Sequence, residues 1–144
     1  MTKEVIVSIK GLQEVSAENG ESVEMVSTGQ YSYENNQHII QYEEIDEEDQ
    51  EITHATIVIG KDFVEIIKSG QNNVEMMFQE EQKTTSCYQT PFGDLTVGMD
   101  TTKVKIKEQE DVITVLLEYG LDMNYSHVAD CTITMQIVAK KTER

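Results

Sequence analysis

Proline occurs once in this chain, tryptophan never, and cysteine only at Cys87 and Cys131. Neither cysteine belongs to a CxxC or CxxxH pattern, which argues against a structural zinc site. Cys131 alternates with Ile133, Met135 and Ile137 and reads as a small buried hydrophobe. No apolar run approaches the roughly 20 residues that span a bilayer. The opening "MTKEVIVSIKG" is too short and too interrupted for a signal peptide. A cytoplasmic protein with reduced thiols is therefore expected. Positive charge is also scarce, with 11 basic against 27 acidic residues and a net charge of −16. Such a surface repels phosphate backbones and anionic headgroups, so neither nucleic acid nor membrane is an expected partner.

A sustained helical period is missing as well; only "GLQEVSAENG" has room for a helical turn. Alternation with a period of two runs through the rest. "EVIVSIK" puts Val5, Val7 and Ile9 on one face, and "SVEMVSTGQYSYE" groups Val23, Met25, Tyr31 and Tyr33 if register holds through Gly29. "QHIIQYEE", "ITHATIVI", "FVEIIK" and "NVEMMFQ" follow as strands, then "TTSCYQT", "DLTVGMD" and "TKVKIKE". "DVITVLLEYG" and "ADCTITMQIVA" close the chain, the latter with Cys131, Ile133, Met135, Ile137 and Ala139 on one side. The 144 residues suit one domain, residues 1–144, with one core. Strands this short and evenly spaced, each with one apolar face, predict an all-β fold. It is a single antiparallel up-and-down β-barrel of about eight to ten strands. A β-sandwich with Greek-key links is the structural alternative.

Turn chemistry supports short hairpins. Asn35-Asn36 suits the positive φ angles of a two-residue turn. Gly60-Lys61-Asp62 and Ser69-Gly70-Gln71-Asn72 break the next strands. The one proline lies in Thr90-Pro91-Phe92-Gly93, where proline second and glycine fourth match a type I turn. "CYQTPFGDLTV" is thus read as strand, stiff turn and returning strand, with Phe92 partly exposed at the tip.

Tyr88-x-Thr90-Pro91-x-Gly93, following "EMMFQE" with "GQYSYENNQHIIQYEE" upstream, resembles the YwiB-like family of small bacterial proteins. That family is a domain of unknown function with a calycin-like barrel, and the likeness runs over nearly the whole chain. The family pattern often has tyrosine at the position of Phe92, a physically small departure. The resemblance implies a lipocalin-like or streptavidin-like barrel; it implies no activity and no cofactor.

The strongest charged stretch is "EEIDEEDQE", Glu43 to Glu51. It lacks the spacing and glycine of a calcium-binding loop and reads as a solvated hairpin loop. His38 and His54 flank it and are close enough in sequence to be neighbours in space. They and His127 fit no catalytic signature, so no catalytic set is expected and the chain does not read as an enzyme. Lys103, Lys105 and Lys107 form a basic ridge that either protects an edge or meets the acidic loop of another copy in a homodimer. Tyrosines carry an apolar ring and a polar handle, which suits a ligand-holding barrel. The functional expectation is a barrel that binds a small apolar or amphipathic molecule, with Tyr31, Tyr33, Tyr42, Tyr88 and Tyr119 lining the pocket. The alternative is an interaction module with a filled core and no ligand.

Overall fold

A computed structural model describes residues 3–14, 21–45, 50–70, 74–90 and 93–140. Ten strands follow in order: β1 (Glu4–Glu14), β2 (Glu21–Glu34), β3 (Gln37–Ile45), β4 (Ile52–Ile59), β5 (Phe63–Ser69), β6 (Val74–Gln79), β7 (Gln82–Thr90), β8 (Gly93–Glu108), β9 (Val112–Met123) and β10 (Ser126–Ala139). Among the described residues there is no helix, and so none long and apolar enough to cross a membrane.

The strands form one antiparallel sheet in the order β6-β5-β4-β3-β2-β1-β10-β9-β8-β7. Every neighbour but the β1–β10 pair is also consecutive in the chain, which is the up-and-down connectivity that short turns favour. Pairing of β1 with β10, from Val5↔Ala139 to Glu14↔Asp130, brings the first and last strands together. The two ends of the sheet, β6 and β7, are themselves joined at Glu80-Glu81, so the barrel is nearly closed rather than split into two sheets.

Asn35 and Asn36 both take positive φ, 53° and 63°, and turn β2 into β3 as their side-chain chemistry requires. Asn124 and Tyr125, at 50° and 70°, do the same between β9 and β10. Thr90 pairs with Gly93, so the strands around the proline do form a hairpin; Pro91 and Phe92 lie outside the described residues. Of "GLQEVSAENG", Gly11–Glu14 belong to β1, not to a helical turn, and the rest lies outside them.

"DLTVGMD" and "TKVKIKE" are one strand, not two. A bulge at Thr102 shifts the register between Thr101 and Lys103, so Val97, Met99 and Thr101 face inward before it and Val104 and Ile106 after it. Thr102 Oγ1 donates to the Glu118 carbonyl at 3.1 Å and ties the bulge to β9.

Apolar side chains fill the interior. Val5, Val7, Ile40, Ile57, Val64, Phe78, Val115, Leu117 and Ile137 are fully buried in one cluster. Cys131 is buried as well. Tyr119 packs beside Phe78 with ring centroids 5.0 Å apart. At roughly 25 cal/mol per Å², burial of these aliphatic and aromatic faces is the principal force holding the strands in a ring.

Candidate functional site

The wall of the barrel parts between β2 and β3. Their ladder runs only from Glu34↔Gln37 to Gln30↔Gln41. Beyond that point β2 continues to pair with β1 and β3 with β4. Were the register extended, Gly29 would face Tyr42 and Val26 would face Ile45. Instead the strands diverge around a cleft of about 500 Å³ lined by Thr28, Gly29, Gln41, Tyr42, Ile45 and His54, among others.

Gly29 sits where the strands part. A β-carbon there would lie 3.0 Å from the Gln41 carbonyl oxygen and 3.2 Å from a Val7 methyl. Only a residue without a side chain lets the backbones approach so closely before they separate. Tyr42 forms the inner wall and is 4% exposed. Its hydroxyl has no hydrogen-bond partner among the described residues, and burial followed by the Glu44 charge pushes its pKa well above the usual phenol range. At the rim, His54 Nδ1 lies 3.3 Å from Glu43 Oε2. Val26 (63% exposed), Ile45 (61%) and Ile52 (46%) stand on the strands bordering the opening. Of these, Ile45 lines the cleft itself, and an exposed aliphatic residue with a tyrosine in the same wall suits an amphipathic molecule.

The remaining tyrosines are distributed elsewhere. Tyr31 and Tyr33 meet at His38, near the Asn35-Asn36 turn. Tyr31 Oη lies 2.7 Å from His38 Nδ1, and His38 Nε2 contacts Glu108 Oε1. Because a carboxylate only accepts, Nε2 carries the proton, and in the neutral imidazole Nδ1 accepts from the Tyr31 hydroxyl. Tyr33 is 56% exposed and packs edge-on against the same imidazole, 5.0 Å away. Burial, then Glu108 and Tyr33, raises the Tyr31 pKa, so this phenol stays protonated. Tyr119 touches the core through Phe78 and also borders a shallow outer cleft with Cys131, Asp122 and His127. Burial pushes the Cys131 thiol up, partly offset by its hydrogen bond with Tyr119. Tyr88 belongs to β7 opposite Leu95; its side chain lies outside the described residues.

His38 and His54 do not meet. His38 pairs with Ile59, and Ala55 to Val58 separate that position from His54, which pairs with Glu43. At about 3.3 Å per residue the two histidines stand at opposite ends of the β3–β4 hairpin. Of the acidic run, Glu43, Glu44 and Ile45 are part of β3 rather than a loop, and Glu44 pairs with Lys68 at 3.1 Å; residues 46–49 lie outside the described residues. Sequence patterning gave no sign of the parted wall, because strand alternation says nothing about where a ladder stops. Gly29 in a β-rich run was the available signal.

A crystal structure of the YwiB protein from Bacillus subtilis has the same fold, with a TM-score of 0.76 and 22% identity over 96% of this chain and 93% of that one. No curated protein matches the chain. The family model described as "Domain of unknown function (DUF1934)" matches residues 7–135, and the chain belongs to that family.

Proposed function

We propose that the protein binds a small amphipathic molecule in the wall cleft between β2 and β3, rather than along the barrel axis. One observation carries this reading: the β2–β3 ladder stops beside Gly29 and leaves a cleft lined by the exposed Ile45 and by Tyr42, whose hydroxyl has no hydrogen-bond partner among the described residues. The phenol orients a polar head by donating a hydrogen bond, and the exposed Ile45 covers an apolar tail. The Tyr42 phenol keeps its proton and is therefore a hydrogen-bond donor to a bound molecule.

Thermal unfolding in the presence of medium-chain fatty acids, alcohols and amines tests the proposal. One class raises the melting temperature of the native chain saturably. Ile45→Asp, at an exposed position, abolishes that shift without altering the ligand-free melt, and Tyr42→Phe weakens binding about tenfold through loss of one buried hydrogen bond. An unchanged shift in Ile45→Asp, or no shift with any class, overturns it.

The filled interior favours a second reading, an interaction module whose function lies on its outer surface. The core around Phe78, Ile57 and Leu117 leaves those side chains no exposure to an axial ligand.

A further inference from the structure

A second break in the wall lies between the end of β6 and the far half of β8. The β7–β8 ladder ends at Gln82↔Thr101, whereas the β8–β9 ladder continues to Glu108↔Ile113. Among the described residues, Lys103–Glu108 is therefore laddered on one side only, and β6 likewise pairs with β5 alone. A cleft of about 590 Å³ separates Gln79 and Glu80 from Val104–Lys107, with Lys61 and Asp62 bordering it.

The backbone of this edge faces the cleft. The Val104 amide donates to Glu80 Oε1 at 3.0 Å, a side chain occupying the place of a strand partner. Alternation along the strand turns the main-chain groups of Ile106 the same way. The side chains of Val104 and Ile106 are half-buried and pack on the core. Lys105 and Lys107 are exposed beside them, and with Lys61 they form no ion pair among the described residues. Lys68, Lys83, Lys103 and Lys140 all have acidic partners. In a chain of net charge −16, three unneutralised lysines thus collect along one open strand edge.

We propose that this edge accepts an extended acidic segment of another protein, which adds to β8 as a further strand. Its backbone displaces the Glu80 carboxylate from the Val104 amide. Acidic side chains on its outer face meet Lys105 and Lys107, while apolar ones between them cover Val104 and Ile106. A second copy of this chain adding through the same edge would set lysine against lysine, which disfavours it. The proposal concerns a different surface from the β2–β3 cleft and stands independently of it.

Fluorescence anisotropy with a labelled peptide of alternating glutamate and valine tests this, alongside two controls. One control carries lysine for glutamate; the other is methylated on alternate backbone amides. The acidic peptide binds saturably below about 1 mM, and neither control does. Lys105→Glu with Lys107→Glu weakens binding at least about tenfold while leaving the thermal melt unchanged. Deuterium exchange at Val104 and Ile106 slows on binding. Equal binding of the methylated peptide, or no saturable binding of the acidic one, overturns the proposal. So does self-association of the protein alone that protects the same amides, since it assigns the edge to a second copy.

Discussion

Individual residues show where this barrel carries avoidable cost. Glu65 on β5 and Glu75 on β6 are diagonal neighbours, because Glu65 pairs with Met77 and Glu75 with Ile67. Partial burial, then the Glu75 charge and a hydrogen bond to it, raises the Glu65 pKa. A carboxyl whose folded pKa is raised holds its proton more tightly in the native state. Its contribution is therefore most favourable below the unfolded carboxyl pKa and is lost as pH rises through the folded one. Glu65→Gln removes that loss. The variant should gain roughly 0.5 kcal/mol near neutral pH, about 1–2 °C in melting temperature, and nothing measurable at acid pH. Calorimetry at the two pH values checks it; an equal gain at both contradicts the like-charge explanation. A cost of this kind is invisible to sequence, since residues ten apart become neighbours only once the β5–β6 register is known.

At the level of elements, alternation revealed more than connectivity did. Asn35-Asn36 and the Thr90–Gly93 corner were legible because turn geometry depends on two residues and their φ preferences. The inward faces of β9 and β10 were legible because Ile113, Val115 and Leu117, and Met135 and Ile137, keep strict parity. The bulge in β8 left a trace: inward residues are odd-numbered through Met99 and even-numbered from Val104. That change of parity can mean a turn or an inserted residue, and only the continuous ladder with β9 decides it. Deleting Thr102 makes the distinction measurable. Because Thr101 pairs with Tyr119 and Lys103 with Glu118, removing the inserted residue leaves a regular ladder in which Lys103, Lys105 and Lys107 still face out and Val104 and Ile106 still face in. The deletion should therefore fold with the same pairing and lose about 1 kcal/mol in urea unfolding, the hydroxyl bond to the Glu118 carbonyl. Thr102→Gly, which keeps the inserted residue and loses only its hydroxyl bond, should lose about 1 kcal/mol. A loss of several kcal/mol in the deletion alone would mean that Thr102 is needed for the register and is not a simple insertion.

At the scale of the whole molecule, the contact between His38 and Glu108 has the widest reach. Going around the sheet from β3 to the far half of β8, β2, β1, β10 and β9 intervene on one side and β4, β5 and β6 on the other. A side-chain bridge between them spans opposite walls, and Tyr31 and Tyr33 extend it onto β2. The bridge obstructs one end of the barrel, which agrees with a filled axis and with openings placed in the wall. Sequence could not indicate it, because 70 residues separate the partners and neither belongs to a motif. Nor did the tyrosines signal their division between this end, the β2–β3 cleft and the core, since ring chemistry suits all three places. If the bridge ties opposite walls together, His38→Ala and Glu108→Ala should be non-additive. A double-mutant cycle in urea should yield a coupling energy of about 1 kcal/mol, the usual net value of one hydrogen bond to a charged group after partial solvent screening. Either single variant should also speed amide exchange in the Tyr31–His38 hairpin while leaving β9 and β10 unchanged, because those strands are laddered on both sides. Additive losses would reduce the contact to a surface pair without a role in closing the barrel. Faster exchange throughout the molecule would show that the bridge supports global folding rather than one end.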